Sequence, residues 1–186
     1  MSPGMVSMAE LMAALPHILA APKERSILRQ LTFRPGYNQR RHPERLTLTR
    51  AEGIPGERWL TAPWLRLANG APDPSIQVSI LPARVHDLVR RHPEQPHPGD
   101  TIIADLDMSL ANLPEGSILQ VGGARLRASG VFNEGCVKWK ARYGADARAW
   151  IERPGHPELR LRGILCAITA DGEVRTGDPI TVVSRG

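Results

Sequence analysis

Apolar residues in this chain come in short runs, and the spacing within the runs changes along its length. Met8, Leu11, Met12, Leu15, Ile18 and Leu19 recur at helical spacing and predict an amphipathic helix over Ser7 to Ala20. Ser7 and Glu10 have the separation of a capping box. Pro16 lies inside the run, so a kink or break is expected there. The expected place for this helix is the outside of the domain; an arm that binds a partner is the alternative.

From Arg25 onward the pattern is that of strands. Ile27 to Phe33 reads as a strand ended by Pro35-Gly36, Leu46 to Arg50 and Ile76 to Ile80 alternate with period two, and Thr101 to Asp107 is a further apolar run. Ile118 to Val121 and Arg125 to Ser129 flank Gly122-Gly123 and predict a hairpin. Ile164 to Thr169 and Ile180 to Val183 complete the set, separated by a turn at Asp171-Gly172. Helical spacing returns at Ala83 to Arg90, from Cys136 through Arg142, and over Ala145 to Glu152. Polar, proline-rich stretches at Tyr37 to Glu44, Pro63 to Pro74 and Arg90 to Pro98 read as loops. Many short strands, frequent turns and a few short helices predict a mostly β, barrel-like fold. The expected division is an N-terminal helical arm over 1–24 and a β-barrel domain over 25–186.

Composition narrows the class. A chain of 186 residues fits one domain with a short appendage. Of its 24 basic residues 21 are arginine, and the formal charge is +5. Arginine's planar fork suits phosphate and carboxylate, although an arginine-rich composition explains most of the bias. Two cysteines in different settings do not form a disulfide framework. No apolar run reaches the length of a membrane span and no leader pattern opens the chain, so the expected location is the cytoplasm.

The candidate chemistry centres on Asn133-Glu134-Gly135-Cys136-Val137-Lys138-Trp139-Lys140. Here a turn presents a thiol, and helical spacing with basic residues begins at once. Cations beside a cysteine favour its thiolate, and a thiolate serves nucleophilic attack, persulfide carriage or soft-metal ligation. Lys138, Lys140 and Arg142 can supply that charge. A plain loop cysteine is the alternative. Cys166 lies within Ile-Leu-Cys-Ala-Ile and reads as a small buried hydrophobe. His92 and His97 fit no metal-ligand spacing. No serine nucleophile elbow, phosphate-binding P-loop, H-E-x-x-H or paired CxxC is present.

The pieces also occur in an informative order. Gly53-Ile54-Pro55-Gly56-Glu57-Arg58-Trp59 precedes Pro98-Gly99-Asp100-Thr101-Ile102, then Leu113-Pro114-Glu115-Gly116-Ser117-Ile118, then Gly135-Cys136-Val137-Lys138. Leu161-Arg162-Gly163-Ile164 and Gly177-Asp178-Pro179-Ile180 close the series. From about Arg25 to Val183 this resembles a MOSC domain, the domain named after the C-terminal part of molybdenum cofactor sulfurases. The resemblance implies a β-barrel-like fold and an association with molybdenum cofactor, either sulfurating it or binding it to reduce N-hydroxylated compounds. It implies that Cys136 is the catalytic residue, as persulfide carrier or molybdenum ligand. Arg58, Lys138 and Arg162 fall in the family's charged motifs and are carried over as contacts to the cofactor phosphate. Gly56-Glu57-Arg58 has Glu where the family commonly has Asp. A small-molecule substrate and either an electron-donor protein or a cysteine desulfurase would be the partners.

A different class remains open on the residues alone. Arg40-Arg41, Arg90-Arg91 and a pI near 9.9 suggest a non-catalytic module that binds nucleic acid or another anionic partner. Four Trp, two Tyr and two Phe give such a module few stacking platforms.

Overall fold

The computed structural model describes residues 4–186; residues 1–3 of the expected N-terminal arm lie outside the described residues. Nine strands follow in chain order: β1 (Arg25–Leu31), β2 (Arg45–Leu48), β3 (Val78–Pro82), β4 (Ile102–Ala104), β5 (Ile118–Val121), β6 (Ala124–Ala128), β7 (Ile164–Ala170), β8 (Gly172–Arg175) and β9 (Pro179–Ser184). Seven of them close a barrel in the order β1-β4-β3-β7-β6-β5-β9. The β3–β4 pair is parallel and the other pairs in the barrel are antiparallel. Closure leaves this sheet without a free edge. β2 pairs only with β8, as a separate two-stranded ribbon.

The mostly β, barrel-like expectation is met, and the details differ in physically informative ways. Leu46 and Leu48 are buried while Arg45 and Thr47 are exposed, as alternation requires, yet this strand leaves the barrel to join β8. Pro74–Ile76 is a single helical turn, and the third strand begins two residues later, at Val78. Every residue of β3 is buried because the strand is covered on both sides. Val78 and Ile80 belong to the barrel interior, with Leu28, Leu31, Ile102, Leu119, Leu126, Ile164 and Cys166. Leu81 and Ile103 face a second apolar layer outside it.

That outer layer is helical: α1 (Met8–Leu19), α2 (Ala83–Val89), α3 (Val137–Tyr143) and α4 (Ala145–Glu152). Leu11 and Ile18 of α1 are buried there with Trp139, Tyr143 and Trp150, so the N-terminal helix lies on the outside of the barrel. Its capping box forms, with the Ser7 amide donating to Glu10 Oε2 at 2.8 Å. The helix continues through Pro16. The proline sits in the last turn, where the lost amide bond is one of the final ones and the helix ends before more are needed.

One glycine fixes how the barrel meets the α3 region. Gly163 has φ +83°, and a Cβ there would lie 2.0 Å from the Ile80 carbonyl oxygen. The backbone entering β7 therefore runs directly against β3, immediately after Arg162.

Candidate functional site

α3 is the element that carries the candidate chemistry. Cys136 is its N-cap residue, with extended backbone, and its carbonyl accepts from the Lys140 amide at 3.1 Å. The thiol is free and exposed, whereas Cys166 is free and fully buried in the barrel. Burial pushes the Cys166 thiol up to about 12, as expected of an inert core cysteine. The two cysteines therefore divide as the local sequence implied.

Trp139 and Tyr143 anchor α3 to the domain. Both are buried and meet edge to face at 4.7 Å. Tyr143 donates its hydroxyl to the Pro96 carbonyl at 2.7 Å, and Arg142 donates to the Pro98 carbonyl at 2.9 Å. Burial raises the Tyr143 phenol far above its usual range, so it remains a donor. The helix is thus held against a strap formed by residues 96–99.

The three carried-over cations separate into two places. Lys138 and Arg58 come together over one ring, Tyr37, at 4.3 Å and 5.1 Å from its centre. Arg162 lies under α3 instead. It stacks on Trp139 at 4.6 Å, and its Nη1 donates to both Asp100 oxygens at 2.7 and 2.8 Å. Asn133 donates to the Arg162 carbonyl at 3.0 Å, which ties the cysteine turn to the same anchor. The Arg162 charge is therefore neutralised by Asp100 and orients α3, while its Nε remains buried without a partner.

The structure adds cations that local pattern did not single out as a group. Arg40, expected in a solvated loop, is folded inward and its Nε is buried without a partner. Room for it comes from Gly99, at φ +91°, where a Cβ would lie 3.0 Å from Arg40 Nε. Burial lowers the Arg40 pKa first, and the nearby charges of Arg142, Arg34 and Arg58 lower it further. Arg34 has a carboxylate of its own: Glu57, fully buried, accepts from the Arg34 amide at 2.8 Å and from its Nη2 at 2.9 Å. Among the described residues, Arg40, Arg58, Lys138 and Arg142 have no carboxylate partner. Like charges brought together without paired acids favour an incoming anion.

Two cavities lie near the cysteine segment, and Cys136 lines neither of them. A groove of about 590 Å³ is lined by Asn38, Glu94, Pro96, Lys138, Ala141 and Arg142, so one carboxylate shares its wall with the cations. A cleft of about 280 Å³ is lined by Phe132, Asn133, Arg160 and Gly163. Among the described residues no group of three or more His, Cys, Asp or Glu side chains is gathered as a metal cage. A metal at Cys136 would need its other ligands from a cofactor. No helix among the described residues is long and apolar enough to cross a membrane.

No protein-family model matches the chain, and no curated protein matches it in sequence. Solved structures do match in shape. YuaD from Bacillus subtilis superposes with a TM-score of 0.60 at 21% identity, covering 85% of this chain and 95% of that one. YiiM from Escherichia coli superposes with a TM-score of 0.56 at 19% identity, covering 87% of this chain and 71% of that one. The chain shares the fold of these proteins.

Proposed function

We propose that this chain is a MOSC-type domain that holds molybdenum cofactor at Cys136 or carries sulfur on that thiol. The ordered motif series and the fold shared with YuaD and YiiM support the family reading. The observation that carries the chemical reading is an exposed free thiol at the N-cap position of the helix that also bears Lys138 and Arg142. Arg40 feels the charges of Arg142 and Arg58, and Glu94 lies on the groove beside Lys138 and Arg142.

These residues suit a cofactor that bears both a soft metal and a phosphate. Cys136 would supply a thiolate ligand, and Arg58, Lys138, Arg40 and Arg142 would take the phosphate through charge-assisted bonds. Arg162 already gives Nη1 to Asp100, so a contact to the cofactor would use its remaining donors. The bound group would supply two-electron redox chemistry at the metal. The chain's own part is to bind and aim it, and reduction of an N-hydroxylated substrate would require an electron-donor protein. As a sulfur carrier, Cys136 would accept the outer sulfur of a desulfurase persulfide, and the donor cysteine would leave as thiolate.

The test is elemental analysis and absorption spectroscopy of the protein from a cofactor-competent host, beside Cys136→Ala. Molybdenum or a Cys136 persulfide in the wild type and neither in the variant is the expected result. A metal-free wild type whose thiol accepts no sulfur from a desulfurase would sink the reading.

Of the arginines behind the anionic-partner alternative, Arg90 donates to the Gln95 and Pro93 carbonyls and Arg91 is bonded to Glu10 at 2.7 Å, while Arg41 is exposed.

A further inference from the structure

Three histidines gather at the strap: His97, which belongs to it, with His86 and His42 beside it. The His97 ring centre lies 4.6 Å from that of His42 and 5.5 Å from that of His86. His97 is 6% exposed. Its Nδ1 accepts from the Gly99 amide at 3.0 Å, so the neutral ring carries its proton on Nε2. His86 has the opposite arrangement. Its Nδ1 lies 3.2 Å from Asp87 Oδ1, which places its proton on Nδ1 and leaves Nε2 an acceptor. His97 Nε2 and His86 Nε2 are both buried without a partner, one a donor and the other an acceptor. This complementarity suits a shared proton or a bridging water. It does not suit a metal, because ligation at His97 Nε2 would move the proton to Nδ1, against the Gly99 N–H.

The strap that this ring orders touches the anion site directly. The Gly99 Cα faces Arg40, and the Pro96 and Pro98 carbonyls hold Tyr143 and Arg142. We propose that neutral His97, packed beside His86, is a positioning residue that latches the 96–99 strap under the anion site, and that protonating it releases Arg142 of α3. The inference rests on the anion-site reading above.

The surroundings all oppose protonation of His97. Burial comes first, and His42, His86, Arg90 and Arg40 add like charge, holding its pKa down at about 3. For His86 burial likewise dominates, countered in part by Asp87 and reinforced by Arg90 and Arg29. The closed strap thus keeps His97 neutral, while an opened strap would titrate near the usual value of about 6.5. A depressed folded value means that the closed state is fully favoured above about pH 6.5 and loses ground as pH falls toward 3. Between pH 7.5 and 5.0 the opening equilibrium should rise about 30-fold from this one group.

Hydrogen exchange at the Gly99 amide reads the latch without any ligand. In the wild type, protection corrected for intrinsic exchange should fall about 30-fold from pH 7.5 to 5.0, while amides of the β5–β6 hairpin hold. His97→Asn keeps an acceptor for Gly99 but does not titrate, so its protection should fall far less than that of the wild type, the remainder coming from His86. The same pH course in wild type and His97→Asn would overturn the proposal. Sulfate, a dianion throughout this range, reads the positioning role. At pH 7.5 His97→Ala should weaken sulfate binding about tenfold, the loss of one ordering hydrogen bond, and His97→Asn should retain it. Equal sulfate affinity in His97→Ala and wild type would overturn that role. A wild type that ignores sulfate but shows the exchange signature would remove the anion site and leave the strap latch standing.

Discussion

Arg162 lies over Trp139, 4.6 Å from its ring centre, while a single nitrogen of its guanidinium donates to both oxygens of Asp100. The pair is nearly out of water: the Asp100 side chain is 1% exposed and that of Arg162 is 11% exposed. Three segments meet in this contact, namely the strap, the cysteine helix and the entry to β7. A buried ion pair is costly to break from one side, because the abandoned charge has nowhere to go.

Asp100→Ala should therefore destabilise the fold by about 3 kcal/mol, lowering the midpoint of thermal unfolding by roughly 6–12 °C. Asp100→Ala combined with Arg162→Met removes both charges and should recover part of that loss. Calorimetry on the three proteins checks this, and a double variant as unstable as the single one would show that the pair is not the source.

The two cysteines should differ sharply in reactivity. An alkylating agent at neutral pH should modify Cys136 within minutes and leave Cys166 untouched until the chain unfolds, since Cys166 is fully buried and its thiol is pushed up to about 12. Peptide mass mapping reads the sites. Cys136→Ala should change stability by less than about 0.5 kcal/mol, because the side chain is exposed and makes no capping bond.

Much of this contrast was legible in the linear pattern. Cys166 sits in an unbroken apolar run, and Cys136 sits between a glycine and a run of cations, so burial and exposure followed from neighbours alone. The Gly122-Gly123 hairpin was legible for the same reason, because a turn and its flanking strands are local. The partner of β2 was not, since Leu46 and Leu48 report one buried face and say nothing of which strand lies alongside. The shift of the third strand from Ile76 to Val78 has a related cause: the alternation of Ile76, Val78 and Ile80 runs on from the helical turn into the strand and so marks no boundary. The cation cluster was invisible because Arg34, Arg40, Arg58 and Arg142 converge only through the closed barrel and the space left at Gly99.

Gly163 should tolerate no side chain. Its positive φ is strained for any L residue, and the nearest atom to an added Cβ is backbone, the Ile80 carbonyl at 2.0 Å, which cannot swing aside. Gly163→Ala should cost more than about 3 kcal/mol and shift the entry to β7 together with Arg162. Soluble yield and the unfolding midpoint check this; a variant as stable as wild type would mean that the two backbones do not approach as described.

Arg40 offers a way to separate stability from function. Its guanidinium is partly buried, its Nε has no partner, and Arg142, Arg34 and Arg58 all repel it. Nothing within the protein compensates this arrangement, so it is a feature the fold tolerates rather than one that stabilises it. Arg40→Met keeps the length and apolar stem of the side chain while removing the charge. In the absence of anions this variant should be more stable than wild type, by about 0.5–1 kcal/mol, as expected when a destabilising functional group is removed. Added sulfate should reverse the order: the wild type gains stability in proportion to anion binding, and the variant gains less because one of its cations is gone. Thermal unfolding with and without sulfate, at constant ionic strength set by chloride, separates specific binding from general screening. Equal sulfate shifts in the two proteins would mean that Arg40 does not face the anion, and would return its inward position to a matter of packing.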